Sequence, residues 1–181
     1  PPYALLLTNP GPREKPYMTS KRVEDAAAFL AAARREGRVI EALPEAIRPQ
    51  SLAEGYEVQS AFRGIWPDTV AGWKIGATAV PTMDKFGVKE PMYGPFFARN
   101  VYTSATKSAA PTRHAMTLES EFAYRLGRDL PARAMPYDRE EIVASIDAIM
   151  PAFEIVGTRY TQVPFHDAGS VAGGLISARV I

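Results

Sequence analysis

The sequence predicts an α+β protein, with a helical N-terminal part followed by a β-rich part. Two observations carry this. Between Met18 and Thr69, apolar residues recur at helical spacing and are bracketed by capping residues. From Val70 onward the pattern changes to short apolar or alternating runs separated by Gly and Pro turn signals. The expected division is an irregular tail over 1–17, a helical part over 18–69 and a β-rich core over 70–181. With 181 residues the chain is long enough for one domain of ordinary size, and it holds no internal repeat.

The elements follow in order. In PPYALLLTNPGPREKPY, Leu5–Leu7 is too short for the apolar stretch of a signal peptide, and Asn9-Pro10-Gly11-Pro12 breaks regular structure. Met18 reads either as the natural start, preceded by a tail, or as part of an ordinary N-terminal arm. KRVEDAAAFLAAARRE (21–36) places Val23, Ala26, Leu30 and Ala33 at helical spacing, with Gly37 as the stop. A second helix is expected over Leu52–Ile65, with Ser51 as N-cap, Glu54 at the capping-box position and Pro67-Asp68 ending it. VAGWKIGAT, the region around Met92–Val101 and the alternating LESEFAYRL (118–126) read as strands. Asp138 caps a helix, with Glu141 completing the box, Ile142, Ile146 and Ile149 on one face and Pro151 as the stop. AFEIVG (152–157) and the small, apolar tail after Gly173-Gly174 read as further strands.

Composition excludes several functions. Lys plus Arg total 21 against 20 Asp plus Glu, a near-balance that argues against a nucleic-acid partner. The absence of cysteine removes disulfides, thiolate nucleophiles and Cys-ligated metals. The only histidines are His114 and His166, so a metal would be held mainly by oxygen. No apolar run approaches the ~18 residues of a membrane span, which makes the cytoplasm the default location.

Three features carry possible chemistry. On a strand, Glu119 and Glu121 point to the same face, roughly 6.6 Å apart along the chain. The other face, with Leu118, Ser120, Phe122 and Tyr124, is the mostly apolar one. Two ionised heads about 5 Å apart repel by about 3 kcal/mol at an effective dielectric of ~20, so solvent, a cation, a shared proton or a metal must relieve them. Most such pairs are solvated glutamates. Glu154, however, sits in the apolar run Pro151–Gly157, where a carboxylate must be neutral, paired or metal-bound. Three glutamates match a hard divalent ion, Mg²⁺ or Mn²⁺; a buried salt bridge from Glu154 to an arginine such as Arg159 is the equal alternative. Lys74 shares a strand face with Gly72 and Gly76, opposite Trp73 and Ile75. Either that face gives the ammonium room to meet an anion, or Lys74 snorkels from an edge strand.

Four blocks now carry a resemblance: VAGWKIGAT (70–78), FGVKEPMYG (86–94), ESEFAYRLGRDLP (119–131) and PAFEIVGTR (151–159). In this order they resemble the 2-keto-4-pentenoate hydratases of the fumarylacetoacetate hydrolase superfamily, relatives of 4-oxalocrotonate decarboxylase, from about Met18 to Ile176. The resemblance implies a mixed β-sandwich roll behind a helical N-terminal portion. It implies Mg²⁺ or Mn²⁺ held by Glu119, Glu121 and Glu154, a catalytic lysine at Lys74 and a candidate substrate-binding residue in Arg159. It also implies a metal-dependent hydro-lyase of aromatic-compound catabolism, adding water to a 2-hydroxy-2,4-dienoate. The alternatives are a decarboxylase of a 2-oxo dioic acid such as 4-oxalocrotonate, or a truncated, non-catalytic homologue. Expected partners are a small 2-oxo or 2-hydroxy acid and a second copy or related subunit, with neither nucleic acid nor membrane.

Three departures stand out. Met92 precedes Tyr93-Gly94 where hydratases of this type often carry an acidic residue. His166-Asp167-Ala168 replaces an Ala-Asp-Asn run. The chain stops at Ile181, where family members continue, so a C-terminally incomplete roll is expected, with an unpaired apolar edge over Gly173–Ile181 that leaves the isolated chain poorly stable or makes it associate unless a partner covers it. Hydrolytic members of the superfamily it resembles use a His-x-x-Glu pair, and neither histidine here has Glu three residues on, so the resemblance disfavours hydrolytic C–C cleavage. Two further expectations are geometric: Trp73 packs into the core behind Lys74, and Lys74→Ala costs little stability.

Overall fold

The computed structural model describes residues 4–7, 20–102, 116–157, 159–161 and 179–180. Helix α1, Lys21–Glu36, starts where the Ser20 hydroxyl accepts from the Val23 N–H and ends at Gly37, whose φ of 60° favours a residue without a Cβ. Its buried face is Val23, Ala26, Ala27, Leu30, Ala31 and Ala33; the run of alanines lets a neighbour approach closely. That neighbour is α2, Leu52–Ile65, begun by Ser51 accepting from the Glu54 N–H. The reciprocal half of the expected box is replaced: the Glu54 carboxylate accepts from the Gln50 N–H at 2.7 Å and pairs with Arg22, tying α2 to α1. Val58 and Phe62 of α2 join Leu30, Leu43, Phe97 and Tyr160 in the main core. Phe62 stacks on Trp66 at 5.2 Å.

Six strands form one mixed sheet among the described residues. They are β1 (Ala4–Leu7), β2 (Val70–Gly76), β3 (Met92–Phe97), β4 (Met116–Leu126), β5 (Ile146–Gly157) and β6 (Arg179–Val180), in the order β3-β2-β1-β4-β5-β6. β1 runs parallel to β4, and every other neighbouring pair is antiparallel. A short helix, α3 (Val80–Phe86), links β2 to β3 and closes at Gly87, φ 64°. The two long helices fall between β1 and β2, and only the short helices Val80–Phe86 and Arg139–Val143 interrupt the later strands, an α+β arrangement.

Three expectations are corrected. Residues 4–7 lie within the expected irregular tail, yet Ala4–Leu7 is a strand with β2 on one side and β4 on the other. Four consecutive apolar residues are too few for a helix but suit a strand inside a sheet. The helix capped by Asp138 does carry its full capping box, but it ends at Val143. Ile146 and Ile149 belong to β5, where eleven residues of β4 offer pairing that the helical spacing alone could not foresee. Pro151 sits inside that strand opposite Phe122; the described residues of β6 pair only at Glu154 and Ile155, so the missing N–H of Pro151 breaks no described ladder bond there.

The third correction concerns which faces are buried. Trp73 and Ile75 are half-buried, while Gly72 and Lys74 are buried. Trp73 leans edge-on against Tyr93 at 5.6 Å, with the Arg63 guanidinium 5.1 Å above its ring. On β4 the apolar residues Leu118 and Phe122 are exposed, and Glu121 and Ala123 are buried. Charge faces inward here and part of the apolar surface faces out. His114, His166, Asp167 and Gly173-Gly174 lie outside the described residues.

Candidate metal centre

Strand register builds the site. β4 and β5 pair so that Glu119 faces Glu154 directly and Glu121 faces Ala152. Directly opposed residues of an antiparallel pair share a sheet face, and so do residues two apart on one strand. All three glutamates therefore project to the same side, and one carboxylate oxygen of each lies within 4.8 Å of the others. Lys74 comes from β2, separated from β5 by β1 and β4 in the sheet order. Its Nζ nevertheless donates to Glu154 Oε1 at 2.9 Å, a meeting that three flat strand spacings of about 4.8 Å would not allow and that a curled sheet does. The structure thus brings Glu119, Glu121, Glu154 and Lys74 together.

Arg159 is not part of this cluster. It lines a different cleft, and the ion pair that the sequence offered to it is made by Lys74 instead. Arg159 lies beyond the end of β5, two residues past Gly157, where the sheet no longer aims side chains at the carboxylates.

Small residues lie opposite two of these side chains. Gly94 of β3 lies opposite Lys74, and Ala152 of β5 lies opposite Glu121. Neither stands out in the sequence, because only the register reveals which side chain each one faces.

The electrostatics are unbalanced. Lys74 and Glu154 are both more than nine-tenths buried. Glu121 is 4% exposed, and neither of its carboxylate oxygens has a hydrogen-bond partner among the described residues. Burial raises the Glu121 carboxyl from the usual 4.5 to about 7, with the charges of Glu154 and Glu119 adding to the rise and Lys74 opposing it. Glu119 is also raised, first by burial and then by Glu154. Three acidic groups face one ammonium, leaving an excess of two negative charges if all are ionised. A buried carboxylate with two orphaned oxygens, in a cluster whose described donors are all carboxylate oxygens, fits a hard divalent cation. Glu119, Glu121 and Glu154 would be its protein ligands.

Comparison with known proteins follows the same line. A 2-keto-4-pentenoate hydratase from Paraburkholderia xenovorans (strain LB400) is 31% identical over 145 residues, which are 78% of this chain and 53% of that protein. This chain is a homologue of the 2-keto-4-pentenoate hydratases. The TodF product hydratase of Pseudomonas putida (strain F1) is likewise 31% identical, over 153 residues, covering 83% of this chain and 56% of its own. The homologue therefore spans about half the length of the curated relatives it matches. No family profile matches it. Among solved structures, 4-oxalocrotonate decarboxylase from Pseudomonas putida G7, complexed with magnesium and adipate, superposes with a TM-score of 0.71 at 21% identity. The match covers 92% of this chain and 64% of that one, and it shows that the fold is shared. The same decarboxylase complexed with calcium and acetate gives 0.70. Among the described residues, no helix of the homologue is long and apolar enough to cross a membrane.

Proposed function

We propose that the protein is a metal-dependent hydro-lyase that adds water to a 2-hydroxy-2,4-dienoate, a reaction of aromatic-compound catabolism. The observation that carries this reading is Glu121, buried beside Glu119 and Glu154 with both oxygens unpartnered among the described residues. The names of the relatives supply the reaction class. Mg²⁺ or Mn²⁺ is the cation the donor set suits, and when bound it would act as a Lewis acid on the carboxylate and carbonyl oxygens of a 2-oxo acid.

The chain's own residues supply the rest. Glu119, Glu121 and Glu154 fix the position of the site on the inner face of β4 and β5. Lys74 Nζ, held at 2.9 Å by Glu154 Oε1, places N–H donors at the edge of the carboxylate ring. There it orients an anionic substrate oxygen and holds a proton for transfer. Gly94 and Ala152 leave the space that larger side chains would fill. Closure of the sheet into the β-sandwich roll of this superfamily belongs to the same proposal and rests on the shared fold.

Decarboxylation of a 2-oxo dioic acid is the second reading, favoured by the superposition on a decarboxylase. Assay with Mg²⁺ or Mn²⁺ separates the two. Loss of the conjugated dienol absorbance without CO₂ release supports the hydratase. CO₂ release from 4-oxalocrotonate supports the decarboxylase. Metal binding without either turnover overturns both and leaves a non-catalytic homologue.

A further inference from the structure

The face of β4 and β5 opposite the carboxylates is apolar. Four directly opposed pairs build it: Leu118 with Ile155, Ser120 with Phe153, Phe122 with Pro151, and Tyr124 with Ile149. None of the eight residues is charged. Leu118 and Ile149 are 62% exposed, Phe122 45% and Phe153 46%. Pro151 and Ser120 are exposed as well, and Tyr124 and Ile155 are half-buried. The far end of the same face is covered. Register through β1 puts Trp73 of β2 in one row with Tyr124 of β4, and Tyr93 of β3 lies opposite Ile75, two residues on from Trp73. Trp73 meets Arg63, and Tyr93 stacks on Tyr56 at 4.4 Å, both partners belonging to α2. The sheet thus puts this face under a helix at the β2–β3 end and leaves it open at the β4–β5 end.

The four large exposed side chains leave on the order of 400 Å² of apolar surface in water, a size at which such patches are often functional. A standard interface buries about 800 Å² on each partner, and between like subunits about 65% of it is apolar, or roughly 500 Å². With Pro151, Tyr124 and Ile155 added, this face comes close to that area. Its chemistry selects the occupant. In a two-fold contact each residue near the axis meets its own counterpart, so a charge there would face a like charge. This face has none, and the same lack of charge gives it little with which to select one foreign protein. Edge-to-edge pairing through β5 is disfavoured, because Pro151 offers no N–H to a new strand. Face-to-face packing needs only side chains that interdigitate between two sheets about 10 Å apart.

We propose that the open β4–β5 face packs against the same face of a second copy of this chain, making a closed two-fold dimer. The carboxylate cluster lies on the other side of each sheet, outside the contact.

Sedimentation velocity of the full chain over a concentration series from about 1 to about 100 µM tests it. The proposal expects a dimer at the upper end of the series. Phe122→Glu, near the centre of the face, sets a charge against its counterpart and should raise the dimer dissociation constant by about 100-fold or more. Ile149→Lys should act in the same direction. Lys85→Glu, at an exposed position on α3 away from the face, should leave the dimer unchanged. Far-UV circular dichroism reports whether each variant folds. Should Phe122→Glu fail to fold, Ile149→Lys carries the test, because Ile149 is the more exposed of the two. A monomer throughout the series would overturn the proposal and assign the face to another segment or protein. A dimer unchanged by both Phe122→Glu and Ile149→Lys, or an open series of larger assemblies, would overturn it as well.

Discussion

Replacing Glu121 by glutamine should stabilise the metal-free protein at alkaline pH while destroying its response to divalent metal. The magnitude follows from the geometry. Two unit charges 4.8 Å apart, the outer limit of the carboxylate separations, repel by about 3.5 kcal/mol at an effective dielectric of ~20. Raising the Glu121 carboxyl from 4.5 to about 7 corresponds to a similar cost, on the order of 3 kcal/mol. The sign follows from linkage. The folded state holds this proton more tightly than the unfolded chain, so the stabilisation is complete below about pH 4.5 and is lost as pH rises through about 7. Glu121→Gln cannot ionise, and its amide can donate to a neighbouring carboxylate. In EDTA at pH 8 it should exceed the parent by on the order of 3 kcal/mol, and at pH 5 the excess should shrink to about 1 kcal/mol or less. For a chain of this size that is a rise in Tm of about 6–12 °C. Thermal unfolding from pH 5 to 8.5, with EDTA or saturating Mg²⁺, is the assay. Mg²⁺ should raise the parent's Tm increasingly as pH climbs, because its binding displaces the Glu121 proton, and should leave the variant nearly unchanged. Equal stability of parent and variant at pH 8 in EDTA would refute the reasoning.

Other substitutions test other parts of the structure. Lys74→Met should cost about 3–5 kcal/mol at pH 8 without metal, since it strands the buried Glu154 carboxylate, and adding Glu154→Gln should recover much of that in urea unfolding. This replaces the small loss expected from the sequence. Trp73→Ala, at a half-buried site, should cost roughly 1–2 kcal/mol, against about 3–5 kcal/mol for the fully buried Phe62→Ala. Gly127→Ala should cost about 1–3 kcal/mol by calorimetry, because the new Cβ would lie 2.9 Å from Asp147 Cβ, whose carboxylate accepts from Arg125.

Local chemistry was legible wherever a few adjacent residues decide the outcome. Ser51 and Asp138 each cap a helix because a short side chain reaches an N–H three residues on, a relation contained within one turn. Gly37 ends α1 for an equally local reason. The shared face of Glu119 and Glu121 follows from strand alternation alone. Ile146 and Ile149 were misread because their spacing suits a helix, and the competing claim comes from β4, some twenty-five residues away in sequence.

The sequence by itself determined the order of helical and β-rich parts, the helix caps, the three carboxylates and the lysine, because residue type and short-range spacing suffice for these. Only the tertiary structure decided what those groups meet. It placed Ala4–Leu7 inside the sheet, gave Glu154 to Lys74 and Arg159 to a separate cleft, and turned the carboxylate face of β4 inward while Leu118 and Phe122 face out. The physical reason is that pairing register and sheet order are set by sums over many distant contacts. A shift of one residue in that register would carry every side chain of a strand to the opposite face.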